Sequence, residues 1–399
     1  MRIVFAVIAL FIGLHSNGQT KEQKKMQRLI ADNFSVAASQ YKLLAKNTDA
    51  ALMPRSFDTA ANKLITSKTT WWTSGFFPGA LWYIYEYTGD TAIKAEAERR
   101  LALVEKEKNQ TYDHDIGFQI FSSFGNAYRI TGKPEYKEVV LTAAESQIKR
   151  YRSSIKSIQS WDSSKNFHSP VIIDNMMNLE LLNWSADEAR EPKYKAVSIT
   201  HANTTMKNHY RPDHSSYHVV DYDLATGAIR AKKTAQGAFD ESAWSRGQSW
   251  GLYGFTMMYR FTKEPTYLEH AKKIASFLIN HPNLPADKIP YWDYNAKDIP
   301  DALRDASAAS IMASALLELG LYAGKKEKKQ YEAVAKKILQ SLSSPAYRNE
   351  PGAMGGFLLK HSVGSIPHKS EVDVPLTYAD YYFLEALLRY QHWYLQAKK

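Results

Sequence analysis

The residue of this chain whose chemistry is easiest to read is Asp174. It stands near the start of an apolar run, Val171-Ile172-Ile173-Asp174-Asn175-Met176-Met177-Asn178-Leu179-Glu180-Leu181-Leu182-Asn183-Trp184. An ionised carboxylate is seldom buried without a partner or a task. Read as a helix, the run puts Asp174 and Asn178 one turn apart on a shared face, with Asn175 beside them. Met177, Leu181 and Trp184 then fall on another face. A narrow polar stripe on an apolar helix suits the wall of a pocket. The alternative is a cap, since Asp at a helix start accepts bonds from free backbone N–H groups.

Other reactive side chains gather in short polar, aromatic and Gly-rich segments. These are Trp71–Phe76, Asp113–Phe118, Ser160–Asp162, Ser215–His218, Gln236–Trp250, Tyr291–Tyr294, Arg304-Asp305 and Gly355–Asp373. Together they hold carboxylates, histidines, an arginine and several tryptophans. Sugar chemistry needs such a set: an acid protonates, and an aromatic face stacks on the ring. Each member also has a plain structural reading. Asp115 could cap a helix, His114 could be a satisfied structural histidine, Trp71 and Trp72 could be core, and Arg246 could pair with Glu241 or Asp240. Metal chemistry is the main rival, with His114, Asp115, His209, Asp213, His214 and His218 as nitrogen and oxygen ligands, but no short-spaced ligand set such as HExxH occurs. A serine nucleophile is set aside: the GxSxG match at Gly247–Gly251 falls within the run 247–259, which reads as helix and not as the strand-to-helix turn of a nucleophile elbow.

The elements that would position these residues repeat along the chain. An aromatic-rich helix ends, a tight turn follows, and a Tyr opens a Lys/Ala-rich amphipathic helix. The turns are Tyr85–Asp90, Tyr128–Tyr136, Glu191–Tyr194, Tyr259–Tyr267 and Tyr322–Tyr331. Gly stops one helix and Pro starts the next, so each copy predicts a helical hairpin. Helices after the turns are polar on one side, as in Ala143-Ala144 with Ile148 or Ala271 with Ile274. Those before the turns, 79–87, 118–128, 247–259 and 306–319, are apolar nearly all round. The first kind reads as outer and the second as inner, buried on every side. Alternation of the two predicts an all-α fold closed into a toroid, with Tyr378–Gln396 as a last inner helix. Val219–Asp223 followed by Thr226-Gly227 predicts a small β-hairpin. The polar segments all lie just before inner helices, so one end of the toroid should carry the site.

Bulk composition narrows the class. Met1-Arg2, the apolar run Ile3–Leu14 and the small polar residues to Gly18 read as a secretory leader, too short to span a bilayer. Residues 19–399 carry no linker or composition break and read as one catalytic domain. The chain has no cysteine, which removes disulfides, thiolate metal sites, a cysteine nucleophile and a lipoprotein anchor. An exported chain without disulfides suits a bacterial periplasm, with secretion beyond it as the other destination. The net charge of +10 fits an anionic substrate, while no nucleic-acid motif or membrane anchor is present. Aromatics at 13 %, including 25 Tyr and 9 Trp, supply both core and sugar platforms.

Eight ordered segments resemble the unsaturated glucuronyl hydrolases of glycoside hydrolase family 88. They are WTSGF (Trp72–Phe76), HDIGF (His114–Phe118), IIDNMMNLELL (Ile172–Leu182), SSYHVVDYD (Ser215–Asp223), QGAFDESAWSRGQSWGLYG (Gln236–Gly254), IPYWDY (Ile289–Tyr294), RDASAAS (Arg304–Ser310) and DYYFLEALLRY (Asp380–Tyr390). The resemblance implies an (α/α)₆ barrel that removes a terminal 4,5-unsaturated uronic acid from lyase-generated oligosaccharides, sulfated or not. It implies hydration of the C4=C5 bond, with no metal and no organic cofactor. It places the acid/base at Asp174 and a second aspartate at Asp115, which would hold sugar hydroxyls and tune Asp174. It also implies His218 as orienter of water, Arg246 as holder of the substrate carboxylate, and Trp72 and Trp161 as stacking faces. His114, Gln236 and Trp250 join them as substrate-binding residues. The stretch Lys360–Lys369 holds Ser365 and Lys369, expected beside the next sugar by likeness to a loop that handles sulfated substrates. Two other readings stand beside this one: an unsaturated rhamnogalacturonyl hydrolase of the same fold, and a periplasmic glycan-binding protein without catalysis.

Overall fold

A computed structural model describes residues 20–396, so the expected leader, 1–18, lies outside the described residues. The chain opens with α1 (Lys21–Asn47). Helices α2 (Phe76–Thr88) and α3 (Thr91–Val104) make the first hairpin. A π-helical stretch, Gly117–Gly125, runs into α4 (Asn126–Thr131) and turns back as α5 (Pro134–Ile148). Three more hairpins follow: α6 (Asn175–Ala189) with α7 (Pro192–Asn208), α8 (Ser245–Thr262) with α9 (Pro265–Asn280), and α10 (Ala306–Tyr322) with α11 (Lys325–Leu342). The last inner helix is α12 (Thr377–Tyr390).

The inner helices form a closed ring. Each packs on the next, from α2 through the π-helical stretch, α6, α8, α10 and α12, and α12 returns to α2. This is the (α/α)₆ barrel. Its sixth outer helix is α1, which the hairpin repeat did not reveal because α1 has no turn partner in sequence. It is an outer helix by its stripe of buried residues, Met26, Ile30, Phe34, Ala37, Tyr41 and Leu44, and it packs on α2.

Inner and outer helices differ as their patterns require. Every residue of α8 from Ser245 to Met258 is buried, as is every residue of α10 from Ala306 to Gly320. A large apolar side chain buried this way contributes roughly 1.5–3 kcal/mol. Two of the buried serines bond one turn back: Ser310 Oγ donates to the Ala306 carbonyl at 2.9 Å and Ser249 Oγ to that of Ser245 at 3.1 Å. Two hairpin turns use Gly89 (φ +70°) and Gly132 (φ +68°) in the left-handed region. At the α6 and α8 ends Arg190 and Lys263 take that conformation instead.

Short antiparallel strands lie on the end that precedes the inner helices. They pair as β1 (Met53–Asp58) with β2 (Lys63–Ser67), and β3 (Tyr151–Arg152) with β4 (Ser157–Ile158). Strands β5 (Pro170–Ile172), β6 (Val219–Tyr222) and β7 (Ile229–Lys233) form one sheet. Strands β8 (Ser362–Ser365) and β9 (Ser370–Val374) form another hairpin. The expected hairpin is β6–β7, with Gly227 at φ +73° in its turn. One correction concerns Val171–Ile173, read above as helix. Residues 170–172 are instead strand, because β-branched Val and Ile suit a pleated, buried position and pair with β6. The helix begins only at Asn175. Among the described residues no helix is long and apolar enough to cross a membrane.

Candidate active site

The β5–β6 pairing builds the centre of the site. Ile172 lies opposite Val219, and the Ile173 N–H donates to the His218 carbonyl at 3.0 Å. That register sets His218 beside Asp174, with Nε2 and Oδ2 3.6 Å apart. Asp174 occupies the cap position of α6, yet its side chain makes no capping bond. Both Oδ2 and Nε2 are buried without a hydrogen-bond partner among the described residues. A gap of 3.6 Å is too long for a direct bond, so both atoms remain available to a third group.

The electrostatics of this pair follow from its surroundings. Asp174 is 8 % exposed. Burial pushes its carboxyl up to about 6, against the pull of the Arg246 charge and the Trp250 indole N–H. His218 is held well below its usual range, first by burial and then by Arg246. Its Nδ1 accepts from the backbone N–H groups of Ala235 (3.1 Å) and Gln236 (3.2 Å). The neutral ring therefore carries its proton on Nε2, which faces Asp174. The imidazole lies against Trp244, ring centroids 4.4 Å apart.

Asp115 enters from the neighbouring inner helix. Its own N–H donates to Asp113 Oδ1 at 2.9 Å, which shapes the turn before the π-helical stretch. Three residues on, the Phe118 N–H donates to Asn178 Oδ1 at 2.8 Å. Asn178 thus ties the Asp115 segment to the helix that starts at Asp174. Gly117 permits the contact: a Cβ there would lie 2.5 Å from Asn178 Oδ1 and 2.7 Å from its Cα. Burial, then Asp113, then Asp174 raise the Asp115 carboxyl well above the usual range. The charge of Asp174 thus acts on Asp115, whereas burial dominates at Asp174 itself. His114, 3.6 Å from Asp115, is pushed down to about 3 by burial and by Arg150, and so is neutral.

A cleft of about 410 Å³ opens over these groups. Of the residues expected from sequence, Trp72, His114, Asp115, Trp161, Asp174, His218 and Gln236 line it. Four others sit elsewhere. Arg246 is 1 % exposed behind Gln236. It donates to the carbonyls of Val363 and Gly364 and, at 3.2 Å, to Gln236 Oε1, with Asp305 3.5 Å away. Its pairing is therefore with Asp305 and not Glu241 or Asp240, and it has no free fork of N–H groups for a substrate carboxylate. Trp250 is fully buried against Phe118 and Tyr382, so it packs the floor. Lys369 is exposed in the β8–β9 turn at φ +51°. Ser365 is buried there, its Oγ 2.7 Å from His368 Nδ1.

Trp71 and His368, which lie in segments marked from sequence but were given no site role there, also line the cleft, as do Asn166 and Phe167, which were not singled out. Phe167 meets Trp161 edge to face at 5.6 Å, and an aromatic in the polar loop 162–168 was the available signal. Trp71 is backed by the Arg55 guanidinium, 3.9 Å above its ring, which Glu371 holds at 2.6 Å. His368 is brought in by the β8–β9 hairpin, whose register the sequence does not display. His209, one of the alternative metal ligands, contacts the Val171 carbonyl at 3.0 Å through Nε2.

The chain is similar to several known proteins along most of its length. An unsaturated glucuronyl hydrolase of Formosa agariphila is 41 % identical over 397 residues, 98 % of each chain. An unsaturated chondroitin disaccharide hydrolase of Streptococcus pyogenes serotype M1 is 34 % identical over 384 residues, 94 % of each chain. The crystal structure of an unsaturated glucuronyl hydrolase specific for heparin superposes with a TM-score of 0.89 at 43 % identity, covering 92 % of this chain and 98 % of that one. The model of Glycosyl Hydrolase Family 88 matches residues 45–394, and the chain belongs to that family.

Proposed function

We propose that this hydrolase removes a 4,5-unsaturated uronic acid from the non-reducing end of glycosaminoglycan-derived oligosaccharides. The observation that carries the chemistry is the Asp174–His218 pair: a buried carboxyl held near neutrality, facing a neutral imidazole N–H, with neither atom committed. The protonated Asp174 gives its proton to C4 of the vinyl ether, and positive charge develops across C5 and the ring oxygen. A water held by His218 Nε2–H attacks C5 and returns a proton to Asp174. The resulting hemiketal opens by breaking C5–O5, leaving a ketone at C5. The hemiacetal exposed at C1 then releases the remaining sugar as an alcohol. The net reaction consumes one water. Asp115 accepts or donates to sugar hydroxyls, and Trp72 and Trp161 provide ring faces.

One relative is named for chondroitin disaccharides and one solved structure for heparin, so the substrate differs within the family. In this chain the β8–β9 turn carries that choice. His368 lines the cleft, Ser365 bonds it, and Lys369 follows it on the exposed edge. The net charge of +10 leans toward sulfated substrates. Export to the periplasm completes the proposal, on the strength of the leader-like first residues, and cell fractionation with an antibody to the chain checks it.

The unsaturated uronate absorbs in the ultraviolet, and hydration erases that band. A panel of lyase-derived disaccharides, with sulfation varied and a pectin-derived member included, separates the readings. Loss of absorbance on glycosaminoglycan fragments supports the proposal. Loss on the pectin fragment alone favours a rhamnogalacturonyl substrate, and binding with no loss on any fragment leaves only a glycan-binding protein. Lys369→Ala with unchanged activity on sulfated members would remove the loop assignment.

A further inference from the structure

The barrel lumen holds a second chamber. A cavity of about 560 Å³ is lined by the inner helices, reaching Glu86, Arg129, Trp184 and Arg389 in their second halves, on the end away from Asp174. Its size falls within the roughly 300–1,000 Å³ of small-molecule sites. Phe118 separates the two spaces. It lines this chamber, and its ring lies 5.5 Å from Trp72 and 5.2 Å from Trp250 on the catalytic side.

The walls have the chemistry of a sugar site. Trp184 meets Phe121 at 5.9 Å and Tyr128 at 5.6 Å, which makes an aromatic wall. Glu180, Glu385 and Arg389 of the wall form one ion-pair network with Arg260 and Glu318 behind it, three carboxylates to two guanidiniums. One negative charge is left over, because the Glu86–Arg129 pair at the rim is neutral by itself. Glu385 is fully used, accepting from the hydroxyls of Tyr83, Tyr253 and Ser314. Glu180 is not. Its Oε1 takes the Arg260 N–H at 2.7 Å, while Oε2 makes no hydrogen bond among the described residues. The Tyr382 hydroxyl, also on the chamber wall, makes none either. The mechanism proposed above uses none of these groups.

We infer that this chamber is a second ligand site, one that takes a hexosamine with a free amino group. The aromatic wall at Trp184 supports the apolar face of the ring. The free oxygen of Glu180 and the surplus negative charge hold the ammonium, and the Tyr382 hydroxyl meets a sugar hydroxyl.

Isothermal titration calorimetry of the full mature chain tests this with three probes: glucosamine, N-acetylglucosamine and glucose. Glucosamine binds saturably, at least about tenfold more tightly than either neutral sugar. Glu180→Gln keeps the bond to Arg260 but removes the preference. Trp184→Leu, at the half-buried rim, weakens all three probes, and Asp115→Asn in the catalytic cleft changes none. Thermal melting of each variant confirms a folded protein. No saturable glucosamine binding, or a loss in Asp115→Asn rather than Glu180→Gln, overturns the site. Equal affinity for the three probes overturns the choice of an amine.

Discussion

Replacing Asp174 with Asn should make the protein more stable and almost inactive, and the gain in stability should depend on pH. The rise of the Asp174 carboxyl from 3.8 to about 6 corresponds to about 3 kcal/mol against the charged form. Between those values the folded chain keeps a proton that the unfolded chain has released. Stability therefore falls as pH rises through that window, and the loss is complete above about 6. Asn is neutral at every pH and never incurs it. At about pH 7.5 Asp174→Asn should gain about 3 kcal/mol, and at about pH 4.5 only about 1 kcal/mol. An unfolding entropy of ~2.1 cal/mol/K per residue over the 399-residue chain gives ~0.8 kcal/mol/K, so the midpoint should rise by about 4 °C and about 1 °C respectively. Calorimetric melting of both proteins at both pH values, with the absorbance assay alongside, is the measurement. Activity should fall about 10²–10⁴-fold. An equal gain at the two pH values would show that a buried charge is not the cause. No gain at high pH refutes the burial argument, and retention of full rate refutes Asp174 as the acid.

Three further outcomes are expected. Because the acid form of Asp174 starts the reaction, kcat/KM should decline as pH rises through about 6, and a profile flat to about pH 8 contradicts that role. Gly117→Ala puts a Cβ 2.5 Å from Asn178 Oδ1, forcing apart the segments that carry Asp115 and Asp174. Overpacking of this kind costs about 1–3 kcal/mol, and kcat should drop with it; an unchanged melting temperature and kcat would show that the contact relaxes freely. His218→Ala removes the N–H that faces Asp174 and should lower kcat about 10²-fold with a smaller effect on KM, so a change confined to KM would make His218 a binding residue only.

The architecture was legible wherever pattern and period agreed. Hairpins bounded by Gly89, Pro134, Pro192 and Pro265 announced themselves through turn chemistry, and the apolar helices they joined had to be buried on all sides. The pair Asp115 and Asp174 was also readable, because each stands just before or at the start of an inner helix and the toroid brings those starts together, whereas His218 joins them through the pairing of β5 with β6. What escaped depended on pairing across distance. Val171-Ile172 has the same apolar character in a helix or a strand, and only its partner β6 decides between them. Arg246 reads in sequence as a holder of the substrate carboxylate or a partner of Glu241 or Asp240, but Asp305 and the Val363 and Gly364 carbonyls claim it. His368 reaches the cleft through the β8–β9 register, and α1 joins the ring with no adjacent hairpin to signal it.

The completion of the outer layer by α1 has a consequence for where the chain can be cut. The first turns of α1, at Lys24 and Arg28, share a surface hollow with Gln391, so the two ends of the described chain are neighbours. The barrel is in effect a circle opened at one place, and the position of the opening is arbitrary as far as packing is concerned. Trimming α1 would strip Met26, Ile30, Phe34 and Tyr41 from the core and should unfold the whole ring. A permuted chain that joins the old ends and opens at Gly132, a turn where an added Cβ would meet nothing within 4 Å, should instead keep the same cleft and the same reaction.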